Sequence, residues 1–325
     1  MAERPVVDAL FAGDVYCDVI FAELPGLPTP GGEVYAKRFA VVPGGTANRG
    51  VAAARLGLST ALAVTLGTDM FGNHLADWLG AVPNLDLRWS RRDPAVETAV
   101  SVAVTGEHDR SFITYAEGAP GRPETLPDPR PRVGAAHLPM SEPLPGWAAE
   151  LRAEGTVLVG GVGWDASGEW SPVVLDRLSE VDVFCPNAVE AMNYTHTDDP
   201  REAAKALAER VAHVVVTLGP DGSLALDSGT GECVQVPSVP VEAADPTGAG
   251  DVFVAGYMYG MLRGMPPADR LRLANVAAGL SVRGLGGASS APDWARIRDF
   301  VAALDAETRA EYAVLEETWA GHVGP

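Results

Sequence analysis

The stretch Ala244-Asp245-Pro246-Thr247-Gly248-Ala249-Gly250-Asp251-Val252-Phe253-Val254-Ala255-Gly256 sets how the rest of this chain is read. Gly248, Ala249 and Gly250 are small enough to let backbone amides approach a ligand, and the apolar run from Val252 to Leu262 predicts a helix that opens there. The first N–H groups of a helix lack intrahelical partners and carry the positive end of its dipole, so the turn reads as an anion-binding cup. Asp251 falls in the first turn, where a carboxylate complements the dipole and serves as an acceptor at neutral pH. If the cup holds charge developing on a phosphoryl group, Asp251 can orient a hydroxyl and take its proton. The same residues also read as a plain glycine turn with an acidic dipole complement, and the motif alone leaves both open.

Outward from this turn, apolar runs suited to strands recur at 6–12, 61–66, 156–159, 181–185 and 214–218. Helical periodicity falls at 47–56, 72–79, 147–153, 201–211, 250–262, 267–283 and 308–319. Such alternation predicts a three-layer α/β/α sandwich around a mainly parallel sheet, with the 1–325 chain forming one domain. Segments 15–42 and 97–116, the latter with a turn at Gly106–Asp109, depart from it and read as antiparallel strands. Too few to build a core, they predict a small β-sheet lid over the ligand-binding edge of the main sheet. The Pro-rich stretch Gly118–Pro145 reads as a surface connection.

With 325 residues, 47% hydrophobic and 21% charged, the chain can bury a large core. A net charge of −19, from 24 basic against 43 acidic residues, argues against nucleic-acid or anionic-membrane partners, whose phosphates demand Lys and Arg. A cup of amides can still bind a small anion. Cys17, Cys185 and Cys233 lack metal-ligand spacing and suggest buried thiols in a reduced compartment. Acidic residues in MAERPVVDALFAGD and the absence of ~18 uninterrupted apolar residues predict a cytoplasmic protein.

Three further constellations carry polar chemistry. Pro43–Gly57 places Gly44, Gly45 and Asn48 at a helix start, and Asp14 and Asp18 follow the first strand. Asn48 can donate and accept while the carboxylates accept, which suits a polyol; a tight turn with an Asn cap and two solvated acids fits equally. Asn187 and Glu190 lie about one turn apart at a second helix start, as magnesium ligands or as a capping box. Thr217, Gly219 and Gly222 end a strand in a loop able to meet a nucleotide. Gly161 to Ala166 fits a loose GxGxxG/A pattern, but Trp164 is bulky for a phosphate turn and Pro172 follows closely, which disfavours a dinucleotide site. Neither Lys37 nor Lys205 follows a glycine as a Walker P-loop requires.

Together these residues resemble the ribokinase-like (PfkB) carbohydrate kinase family. One signature runs from Gly44-Gly45 through Asn48 to Leu56-Gly57 and on to Gly67 and Asp69; the other is Asp245 to Asp251 with Ala255-Gly256. The resemblance implies an ATP- and Mg2+-dependent sugar kinase that transfers the γ-phosphoryl group to a hydroxyl of a monosaccharide such as ribose, fructose or 2-keto-3-deoxygluconate. It implies Asp251 as base, Gly248, Ala249 and Gly250 as anion hole, and Asp14, Asp18, Gly44, Gly45 and Asn48 at the sugar. It further implies Asn187, Thr217, Gly219, Gly222 and Asn275 at the nucleotide, and Asn187 with Glu190 at magnesium, directly or through water. Some members also bind a monovalent cation such as K+, which here would involve Asp245 and Thr247. Tyr16 stands where ribokinases carry Asn, and GGTAN is shorter than their GGKGAN, so the sugar stays open. A nucleoside kinase of the same fold and a non-catalytic sugar or nucleotide sensor are the alternatives, and exposed lid strands suggest a homodimer.

Overall fold

Strand Val6–Ala12 is apolar apart from Asp8, and it lies inside the main sheet with a parallel partner on each side. The computed structural model describes residues 4–105, 110–116, 121–165 and 167–320. Its nine-stranded sheet runs in the order Cys233–Val236, Ser223–Asp227, His213–Thr217, Val183–Phe184, Val157–Gly161, Arg132–Pro139, Val6–Ala12, Thr60–Ala63, Leu85–Asp86. All pairs are parallel except the two made by Ser223–Asp227. Side chains alternate between two cores, as a pleat of period two requires. Phe11, Val159 and Val215 pack with helices Ala249–Leu262 and Pro267–Ser281 on one face. Leu10, Leu158 and Val214 pack on the other face with Trp147 of helix Gly146–Ala153 and Leu207 of helix Pro200–Ala208.

Arg132–Pro139 corrects the expectation of a surface connection over Gly118–Pro145. This strand is central, with Ala135 paired to Ala9 on one side and to Val157 on the other. Its short apolar run is built from Ala and Gly and flanked by prolines, so it carries neither β-branched enrichment nor alternation. Smaller differences are local. The 61–66 run divides into Thr60–Ala63 and Thr65–Leu66, the 201–211 helix ends at Ala208, and the terminal helix breaks at Tyr312 into Ala306–Glu311 and Ala313–Ala320. Of the thiols, Cys17 is buried and Cys233 exposed, which corrects the expectation that all are inside. No helix among the described residues is long and apolar enough to cross a membrane.

A second, four-stranded sheet has the order Arg38–Gly45, Val15–Ala22, Ala99–Thr105, Arg110–Tyr115. Val15–Ala22 is antiparallel to the first of these but parallel to Ala99–Thr105, so the sheet is mixed rather than antiparallel throughout. The expected turn at Gly106–Asp109 lies outside the described residues. The sheet leaves the main body two residues after Ala12 and rejoins it where Gly45 leads into helix Thr46–Arg55. Its inner face buries Ile20, Ala22, Val42 and Ala103.

Candidate active site

Asp245 shapes the glycine turn before any ligand is considered. It is 2% exposed; one carboxylate oxygen accepts from the Thr247 amide at 2.9 Å and the other from the Gly286 amide at 2.9 Å. Gly248 then adopts φ 74°, a left-handed conformation. A Cβ there would stand 2.8 Å from Gly287 Cα and 2.9 Å from Asn48 Nδ2, so close packing as well as conformation excludes a side chain. Helix Ala249–Leu262 opens at this point with Asp251 in its first turn.

Asp251 is held by two neighbouring residues of helix Thr46–Arg55. Asn48 Nδ2 donates to its Oδ2 at 3.0 Å, and Arg49 Nη2 forms an ion pair with its Oδ1 at 2.7 Å. Asn48, expected at a polyol, thus touches the carboxylate, and its own Oδ1 is buried without a partner. Arg49 was not expected at the site. Its sequence signal is a lone cation following Asn48 among small residues.

Beside this pair opens a cavity of about 520 Å3. It lies at the C-terminal ends of parallel strands, with Asp14, Pro139 and Gly161 in its wall and Tyr16 and Gly45 contributed by the smaller sheet. Arg49, Trp164 and His137 also line it. Nothing in the sequence marked His137, which is 1% exposed and has no hydrogen-bond partner on either ring nitrogen. Burial, and then the charge of Arg49, hold it well below the usual histidine range, so its ring is neutral. Asp14 is exposed in the cavity, whereas Asp18 is buried and does not line it. The Asp18 carboxyl lies directly over Gly44, where any Cβ would collide with it. Burial, and then the charges of Asp251 and Asp245, push it up to about 7. Trp164 and Asp165 also gain a place. Trp164 stands edge-on to Trp170 at 5.5 Å, and Trp170 to Tyr194 at 5.2 Å. Asp165 accepts from the Ser167 and Trp170 amides at 2.9 and 2.7 Å, which fixes that loop.

A second cavity, of about 510 Å3, is lined by Thr217, Gly219, Gly222, Ala249, Gly250 and Asn275, with apolar walls including Val239, Val241 and Phe253. Its size and character suit a small organic ligand. Asn275 is buried and tied down: its Oδ1 accepts from Ser223 Oγ at 3.0 Å, and its amide donates to the Val236 and Pro237 carbonyls. Asn187 and Glu190 form a reciprocal capping box with two contacts of 2.9 Å. Glu190 is 7% exposed and raised by its burial, although the Arg49 charge opposes that shift. Magnesium usually takes one or two protein oxygens with waters and phosphates completing its shell. A buried carboxylate with one oxygen committed to the cap fits that pattern.

The chain is 30% identical over 283 residues to a ribokinase of Mus musculus, spanning 82% of this chain and 86% of that protein. It is 28% identical over 301 residues to a nucleoside kinase of Methanothermobacter thermautotrophicus, spanning 88% and 93%. In fold it is similar to Arabidopsis thaliana ribokinase complexed with ribose and ATP, with a TM-score of 0.74 and 24% identity over 90% of this chain and 98% of that one. The model of the pfkB family carbohydrate kinases matches residues 8–138 and 149–294, which take in the glycine turn, the 510 Å3 cavity and most of the lining of the other. The chain therefore belongs to the pfkB family of carbohydrate kinases and is a phosphotransferase acting on an alcohol group.

Proposed function

We propose that the protein transfers the γ-phosphoryl group of ATP to a hydroxyl of a monosaccharide, with Asp251 as base. The observation that carries this reading is the position of Asp251: it lies in the first turn of the helix whose Ala249 and Gly250 line the 510 Å3 cavity, and it is ion-paired to Arg49, which lines the 520 Å3 cavity. ATP would occupy the cavity of Thr217, Gly219, Gly222 and Asn275, with its terminal phosphate over the amides of Gly248, Ala249 and Gly250. The acceptor would lie in the other cavity against Asp14 and Gly45, near Asp18, Gly44 and Asn48. Asp251 takes the hydroxyl proton as the new P–O bond forms, and the amide cup holds the phosphoryl charge. Glu190 with Asn187 would hold Mg2+, which neutralises phosphate charge when bound. A monovalent cation such as K+ would lie near Asp245 and Thr247, where the Asp245 oxygens accept from two amides and keep lone pairs for it.

The chain is read as one domain whose segments 15–42 and 97–116 form a lid, and as a cytoplasmic homodimer paired through that lid. Trp164, 73% exposed at the acceptor cavity, favours a second reading in which a nucleoside base stacks on its ring. Coupled ADP release measured against ribose, fructose, 2-keto-3-deoxygluconate and several nucleosides tests both. One acceptor class is expected to turn over, and Asp251→Asn is expected to lower kcat by ~10²–10⁴ while ATP binding persists. Near-normal turnover in Asp251→Asn would remove that residue from the mechanism.

A further inference from the structure

Arg49 approaches Asp251 to 2.7 Å with a side chain 20% exposed, and its Nε is buried without a hydrogen-bond partner. A guanidinium that only neutralised the carboxylate would work against its use as a proton acceptor, so the pairing calls for another purpose. The geometry supplies one. A hydroxyl donating to Asp251 lies ~2.7 Å from its oxygen, and the phosphorus it attacks is only a bond length or so beyond. The planar fork of a guanidinium anchored on Oδ1 reaches across that span. Arg49 also lines the acceptor cavity with His137, and its charge is felt both by His137 and by Glu190 of the capping box.

Resting on the phosphotransfer reading above, we propose that Arg49 is a further catalytic residue, whose guanidinium binds the equatorial oxygens of the γ-phosphoryl group during its transfer. The bond from the acceptor oxygen to phosphorus forms as the bond from phosphorus to the β-bridging oxygen breaks. The hydroxyl proton passes to Asp251, ADP carries away the electron pair, and Arg49 stays protonated throughout. Its anchor on Asp251 fixes the fork before substrate arrives, so it supplies charge opposite the Gly248–Gly250 amides without reorganising.

Arg49→Gln and Arg49→Lys, each checked by thermal melt to be folded, test this through kcat, both KM values and affinity for ADP with aluminium fluoride, a mimic of the group in transit. Arg49→Gln is expected to lose ~10²–10³ in kcat at every pH, with both KM values within about threefold, and to lose affinity for the mimic in parallel. Arg49→Lys should recover part of each loss. A kcat within about threefold of wild type would overturn the proposal. So would a loss that vanishes at high pH, which would show Arg49 acting only through Asp251 and the other carboxyls facing it, Asp18, Asp245 and Glu190. A wild-type enzyme that turns over no acceptor would defeat the parent reading instead. Binding of the mimic still decides Arg49 in that case, since equal affinity in wild type and Arg49→Gln excludes it from the phosphoryl site.

Discussion

Asp18 shows how one side chain can be held at a cost to the fold. With its carboxyl buried over Gly44 and pushed up to about 7, the folded protein binds a proton there more tightly than the unfolded chain does. The resulting penalty is absent below the unfolded value, about 4, grows as pH rises, and is complete above about 7. Its ceiling is on the order of 4 kcal/mol. Asp18→Asn is therefore expected to melt at a higher temperature than wild type at pH 8 and near the same temperature at pH 4, while binding acceptor more weakly. Equal differences at both pH values would show that Asp18 is ionised throughout. No sequence pattern reports such a shift, because it arises from burial in the folded chain and then from Asp251 and Asp245, more than two hundred positions away.

At the scale of the element, the start of helix Ala249–Leu262 was legible because its chemistry is local: small residues, an acid in the first turn, then an apolar run. Gly248→Ala should be severe, since the left-handed φ of 74° alone costs ~1–2 kcal/mol with a Cβ and the contact with Gly287 adds to it. A fall in melting temperature accompanied by loss of ATP binding is expected; retention of both would mean the turn relaxes freely. Arg132–Pro139 was illegible for the opposite reason. A strand whose centre is Gly and Ala becomes a strand only because two neighbours pair with it, and its buried polar group, His137, owes its burial to the same packing. Arg49 escaped notice likewise, since its partner lies on a helix distant in sequence. The capping box of Asn187 and Glu190 was readable because both partners sit within four residues.

For the whole molecule, the smaller sheet presents an unpartnered face. Its register puts Phe21, Phe39 and Ile113 on the side opposite Ile20 and Ala103. These three are exposed, with the Phe21 and Phe39 rings 5.1 Å apart. Contiguous apolar surface of this kind marks association. Wild-type protein is expected to sediment as a dimer and Phe39→Glu as a monomer; a monomeric wild type at micromolar concentration would refute the pairing. The sandwich itself was legible from alternating strand and helix patterns, whereas the order of strands was not. Strand Val6–Ala12 finds one neighbour at Thr60–Ala63 and the other only at Arg132–Pro139.

The bond between Asp245 and the Gly286 amide has a consequence for biosynthesis. A ribosome releases this chain from its first residue onward, and the central strands can pair once residue 139 has emerged. The glycine turn that follows Asp245 cannot take its final shape until Gly286 is also free of the exit tunnel. A chain interrupted shortly before that position would carry nearly all of its core and both halves of the acceptor wall, yet lack the clasp on Asp245. Premature termination there would remove that clasp while sparing every strand of both sheets.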